Sequence, residues 1–257
     1  MLSSWHCALI ADVHGNLPAL EAVLEEIQRR GVDAAYHLGD LVGYAPWPDE
    51  VVARLADARI AGVAGNYDST VATDAEHCGC RAENPQQEAL SHESYAWTLA
   101  RVTLETKARL RALPFRIDVR PGGGHHSGPT LRLFHGAPTL NTLYWDESRP
   151  DDFARRMAAK LGAIEGDAIA FGHTHVPWQR EVDGMLFANA GSVGRPKDGD
   201  PRACWAIASW DGAAIRIEHV RTEYDVERAA RAILNSELPD AFAEDLRNGG
   251  TSRVGAA

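Results

Sequence analysis

Five times before residue 176, a short apolar run ends in a polar group with a glycine beside it. Cys7-Ala8-Leu9-Ile10 leads to Asp12-Val13-His14-Gly15, and Val32 to Leu38 leads to Gly39-Asp40. Ile60 to Val63 leads to Gly65-Asn66, Leu131 to Phe134 to His135-Gly136, and Ala168 to Phe171 to Gly172-His173-Thr174-His175. Runs of this length and character suit strands buried on both faces. Helical spacing follows the first: Leu17, Leu20, Val23, Leu24 and Ile27 recur at three- and four-residue steps, and Gly31 suits a left-handed end. Val51, Val52 and Leu55 fit a short helix beginning near Asp49. Strand, polar group and helix in repetition predict a parallel α/β sheet. Its polar groups collect at the carboxyl ends of the strands, where such sheets place their ligand sites.

The rhythm breaks between Ser69 and Leu113. This stretch opens polar, then turns helical through Leu90, Tyr95, Trp97 and Leu99, and again after Thr103, a good N-cap. It reads as a helical insertion, residues 69–113, standing beside the site as a cap. Cys78-Gly79-Cys80 within it is a single Cys-x-Cys without a second pair, which favours a turn or packing role over a metal or redox one. Strands at Phe115 to Val119 and Leu131 to Phe134 flank a glycine-rich loop whose His125 and His126 read as solvated. A helix is expected from Asp152 to Leu161. From Gln179 to Ile217 short runs separated by Asp183-Gly184 and Asp211-Gly212 have the pattern of hairpins, so the second sheet portion is expected to be largely antiparallel. A helix from Asp225 to Asn235 follows. With no internal linker or repeat, residues 1–247 read as one domain and 248–257 as a flexible tail.

With 257 residues, 45% of them hydrophobic, the chain can bury a sizeable core. Its formal charge of −10 argues against a surface that coats nucleic acid. Four scattered cysteines are too few for a disulfide framework. No basic apolar leader opens the chain, and no stretch approaches the ~18 apolar residues of a membrane span. A cytoplasmic protein without membrane contact is expected.

Asp12, His14, Asp40, Asn66, His135, His173 and His175 would all reach one sheet edge. Carboxylates and imidazoles gathered there stand unpaired unless a cation joins them. Two divalent cations would use every lone pair, with Asp40 able to bridge, and the Asp/Asn/His mixture suits manganese, iron, zinc or nickel. The neighbouring glycines leave room around the ions.

On these motifs, in this order, the chain resembles the calcineurin-like metallophosphoesterases, whose series is Asp-x-His, Gly-Asp, Gly-Asn-His-Asp or Glu, His, and Gly-His-x-His. Asn189-Ala190-Gly191-Ser192-Val193-Gly194-Arg195-Pro196 extends the likeness to the small prokaryotic phosphodiesterase branch. The resemblance implies a four-layer α/β/β/α sandwich with the helical insertion after its third strand. It implies that Asp12, His14 and His175 hold one metal, Asn66, His135 and His173 the other, and that Asp40 bridges them. A hydroxide shared by the metals would then attack phosphorus in line. Asn66, Tyr67 and Asp68 would form the catalytic motif, with Asn66 and Arg195 touching substrate. One departure stands out: the family's histidine after the asparagine, thought to protonate the leaving oxygen, is Tyr67 here. A phenol is a weaker acid than imidazolium, and Asp68 loses the partner it orients in the family.

The expected function is hydrolysis of a small phosphodiester, nucleotide-like in size. A phosphomonoesterase, including a phosphoprotein phosphatase, would keep the chemistry, but a second anionic charge asks for more basic residues than Arg195. A non-catalytic protein-binding scaffold on this fold would be expected to have lost ligands, and all seven positions carry suitable side chains.

Overall fold

The first strand, β1 (Trp5–Ile10), is buried on both faces along most of its length. Because side chains alternate along a strand, Cys7, Leu9 and the following Ala11 enter one core while Ala8 and Ile10 enter another. The chain continues through α1 (Leu17–Arg30), β2 (Ala34–His37), α2 (Pro48–Asp57), β3 (Ala61–Gly62), α3 (Asn66–Ala72), α4 (Pro85–Arg101) and α5 (Leu104–Arg111). Then come β4 (Ile117–Val119), β5 (Leu131–Leu133), α6 (Asp151–Leu161), β6 (Ala168–Phe171), β7 (Trp178–Val182) and β8 (Met185–Asn189). The last elements are β9 (Ala203–Trp210), β10 (Ile215–Thr222), α7 (Val226–Leu234) and α8 (Ala241–Asn248). This computed structural model describes residues 4–80, 84–121 and 128–250. His125 and His126 lie outside the described residues, as does the tail from 251.

Two five-stranded mixed sheets form, in the orders β10-β9-β1-β2-β3 and β4-β5-β6-β8-β7. In the first, β1, β2 and β3 run parallel; in the second, β5, β6 and β8 do. Three cores separate four layers. Between the sheets lie small and medium side chains: Leu9, Ala11, Leu131, Leu133, Ala168, Ala170, Ala206 and Ala208. Outside the first sheet, Ile10 and Trp205 meet Leu20, Val23, Val51 and Leu55 of α1 and α2, and Ile233 and Phe242 of α7 and α8. Outside the second, Ile169, Phe171 and Phe187 meet Phe153 and Met157 of α6. The small residues of β6 face the other sheet and its large ones face the helix, so alternation alone assigns each side chain its layer. The architecture is the α/β/β/α sandwich.

Local signals act as expected at several ends. The Asn16 side chain accepts from the Ala19 amide at 3.2 Å, and Gly31 ends α1 at φ 64°. Thr103 caps α5 by accepting from the Thr106 amide. Elsewhere the structure corrects the sequence reading. The segment from Gln179 to Ile217 does not build one antiparallel sheet. The β7–β8 hairpin joins the second sheet with β8 parallel to β6, whereas the β9–β10 hairpin crosses back to lie beside β1. Residues 248 to 250, read from the sequence as the start of a tail, are part of the fold. Asn248 ends α8, Gly249 caps it at φ 66°, and the Gly249 carbonyl accepts from the Gly199 amide at 2.9 Å.

Candidate metal centre

Every proposed ligand follows the carboxyl end of a parallel strand. Asp12 and His14 follow β1, Asp40 follows β2, Asn66 follows β3, His135 follows β5, and His173 and His175 follow β6. The structure brings them into two groups. Donor atoms of Asp12, His14 and His175 lie within 4.8 Å of one another, and so do those of Asp40, His135 and His173. Asp40 Oδ2 lies 3.4 Å from His135 Nε2 and 3.6 Å from His14 Nε2, between the groups. Asn66 Oδ1 lies 3.0 Å from His135 Nε2. All seven residues are buried.

The hydrogen bonds behind the ligands show why this donor set fits cations. A backbone carbonyl can only accept, so His14 Nδ1–H donates to Val42 O at 3.0 Å and His175 Nδ1–H to Arg195 O at 2.7 Å. Their Nε2 atoms then carry lone pairs, and these face each other at 3.1 Å. Burial pushes the His14 pKa down to about 4 and that of His175 well below its ordinary value, so neither pair is relieved by a proton. Asp12 Oδ1 is buried with no hydrogen-bond partner, while its Oδ2 accepts from the His173 amide at 2.9 Å. In the second group, His135 Nε2 and His173 Nδ1 stand 3.1 Å apart, and burial takes His173 to about 3. Burial opposes charge on His135 too, but the Asp40 carboxylate lifts it to about 9. Such a cluster demands positive charge. Facing lone pairs and an orphaned carboxylate oxygen are what divalent ions resolve, with His14, His135 and His175 each oriented from behind by a backbone carbonyl.

The backbone is bent to achieve this. Asp12, His14, Asp40, His173 and His175 all have left-handed φ, between 47° and 71°, at roughly 1–2 kcal/mol each. Two glycines are required by close approach. A Cβ on Gly65 would stand 2.1 Å from Asp40 Oδ1, and one on Gly172 would stand 2.5 Å from Asp12 Oδ2.

Tyr67 is placed as a packing residue, a role the sequence also allowed it, and Asp68 takes one the sequence did not suggest. The Tyr67 ring is fully buried against Tyr44 and Tyr95, its hydroxyl donates to Ser94 Oγ at 3.2 Å, and its amide donates to Asp40 Oδ1 at 2.9 Å. Burial pushes its pKa well above the phenol value. Asp68 has not been left without a partner. Its carboxylate accepts from the Leu41 amide at 2.8 Å and the Gly65 amide at 3.0 Å, tying together the loops that carry Asp40 and Asn66.

A cavity of about 690 Å³ opens over the centre, floored by His14, Asp40 and His173 and walled by Ser91 of α4 and Phe242 of α8. The insertion thus stands on the same side as His173 and His175. Four features were missed in the sequence. Cys78 and Cys80 form a disulfide at the rim, and Asn66 Nδ2 donates to Cys78 O at 3.0 Å and Cys80 Sγ at 3.4 Å, which turns Asn66 Oδ1 toward His135. Tyr144 lies edge-on to His173 with centroids 4.3 Å apart. Lys197 lines the cavity two residues after Arg195, a spacing that could have marked it. Phe242 and Asp245 reach it from α8, for which the sequence held no signal. Arg195 Nη2 lies 3.3 Å from Asp245 Oδ2.

Fold and donor set together define a metal-binding α/β/β/α hydrolase. The chain belongs to the calcineurin-like phosphoesterase superfamily, whose domain description matches residues 6–212. The protein MJ0912 of Methanocaldococcus jannaschii is 30% identical over 260 residues, covering 93% of this chain and 96% of its own. The phosphodiesterase YfcE of Escherichia coli K12 is 27% identical over 201 residues, 74% of this chain and 80% of its own. A metallophosphoesterase structure from Sphaerobacter thermophilus superposes with a TM-score of 0.72 at 28% identity, covering 96% of this chain and 100% of that one. The protein is a phosphoester hydrolase. Among the described residues, no helix is long and apolar enough to cross a membrane.

Proposed function

We propose that the protein is a phosphodiesterase acting on a small, nucleotide-sized ester with two divalent cations, drawn from manganese, iron, zinc and nickel. The observation that carries this reading is the pair of donor groups meeting at Asp40. Asp12, His14 and His175 would hold one ion, Asn66, His135 and His173 the other, and Asp40 both. When bound, the ions supply a water of lowered pKa and offset phosphoryl charge. The carbonyls of Val42, Leu38 and Arg195 keep three imidazoles in the tautomer that offers Nε2. Tyr67 holds its proton and its bond to Ser94, so it lends the leaving group no acid, and esters with acidic leaving alcohols are favoured. The diester assignment draws on the likeness to YfcE, which is named a phosphodiesterase. The cavity volume suits a ligand of nucleotide size.

The test pairs metal analysis of protein purified without added metal with assays on bis-p-nitrophenyl phosphate and p-nitrophenyl phosphate. Assays are run with Mn²⁺, Ni²⁺, Zn²⁺ or Mg²⁺. About two ions per chain and a diester preference are expected. A metal-free protein that neither binds added ions nor cleaves either ester would contradict the reading.

A further inference from the structure

Arg195 lies at the cavity wall beside the first donor group. Its guanidinium carbon sits 3.9 Å from the Tyr44 ring centroid and 5.4 Å from that of Phe242. Its backbone carbonyl is the acceptor that orients His175. Asp245 of α8, which also lines the cavity, meets the same guanidinium at 3.3 Å. The two side chains are 14% and 19% exposed, so water screens this pair only partly. The helix that supplies Asp245 lies beyond residue 212, where the match to the superfamily domain ends.

We infer that Asp245 is a specificity-determining residue: by pairing with Arg195 it cancels a positive charge at the cavity wall and favours singly charged phosphodiesters over doubly charged monoesters. This rests on the phosphodiesterase reading above and names what sets the ester class. A phosphomonoester brings one more negative charge than a diester when fully ionised. A bare arginine beside the centre would attract that extra charge; an arginine already paired with a carboxylate attracts it much less. Tyr44 and Phe242 hold the guanidinium plane in place, so the pair persists without a bound ester.

The test compares kcat/KM for p-nitrophenyl phosphate and bis-p-nitrophenyl phosphate in the metal-loaded parent, Asp245→Asn and Asp245→Glu. Asp245→Asn is expected to raise the monoester-to-diester ratio by about tenfold, and Asp245→Glu to bring the ratio back toward the parent's. A merely structural role would lower both activities together. Binding gives a readout without turnover: inorganic phosphate should gain affinity for Asp245→Asn relative to dimethyl phosphate. Arg195→Gln leaves Asp245 unpaired and should shift the ratio the other way, which keeps the inference testable should Asp245→Asn fail to fold. An unchanged ratio in folded Asp245→Asn, or in Arg195→Gln, overturns the inference alone. A parent that cleaves monoesters and no diester overturns the phosphodiesterase reading instead.

Discussion

Asp40 divides its two carboxylate oxygens between two tasks. Oδ1 receives the Tyr67 amide, which fixes the side chain, and Oδ2 is left to face both donor groups. Asp40→Ala is therefore expected to lose both ions and more than a hundredfold in kcat/KM, as metal analysis and kinetics would register; two tightly held ions in the variant would refute the bridging role. Tyr67→Phe removes one hydrogen bond to Ser94, worth about 1 kcal/mol, so less than tenfold in rate should be lost. A hundredfold loss confined to poor leaving groups would make Tyr67 the proton donor after all. His37 tests the acid side. It is buried outside the ligand set, and burial moves its pKa from 6.5 down to about 4. Between those values the unfolded chain binds a proton that the folded chain refuses. The stability from neutral His37 is thus complete above pH 6.5 and is lost as the pH falls toward 4. The melting temperature should fall across that window, and His37→Gln should flatten the fall. The candidate donors were legible at this scale because each follows an apolar run. The backbone carbonyls behind them were not, since any residue could supply one.

Among the elements, α4 shows how an insertion becomes part of a site. Ser94 Oγ accepts from the Tyr44 amide at 3.0 Å as well as from the Tyr67 hydroxyl, with Ser94 itself fully buried. Ser94→Ala strands both donors and should cost about 2 kcal/mol, or roughly 4–8 °C in Tm, by calorimetry. The rim loop offers a second measurement. Cys78 O and Cys80 Sγ hold the Asn66 amide, so opening the bridge with Cys78→Ser and Cys80→Ser together should weaken metal binding about 10–100-fold by calorimetric titration. Equal affinity would detach that loop from Asn66. The sequence announced α1, α2, α6 and α7 through their spacing and caps. It did not announce α8, because the nine residues between Pro239 and Gly249-Gly250 carry too few apolar positions to stand apart from a frayed end. Only the cavity reveals what α8 contributes. The crossing of β9 and β10 back to the first sheet was equally silent, since hairpin turns fix local pairing and say nothing about which sheet edge receives the pair.

Across the whole molecule, each donor group draws on both sheets. Asp12 and His14 come from the end of one sheet and His175 from the other; Asp40 comes from the first, His135 and His173 from the second. The apolar seam between the sheets is built largely of alanine and other modest side chains, with the polar cluster at its carboxyl end. Binding that occurs only in the folded state adds to stability. Stripping the ions with a chelator should therefore lower Tm by roughly 5–10 °C, and an unchanged melt would place the donors elsewhere. Seen as a mechanical object, the molecule is two plates packed face to face, which bound cations would pin at one end. Shear applied between the plates would be borne by the pins first, so rupture in a single-molecule pulling experiment should come at higher force with cations present and at a force set by the alanine seam without them.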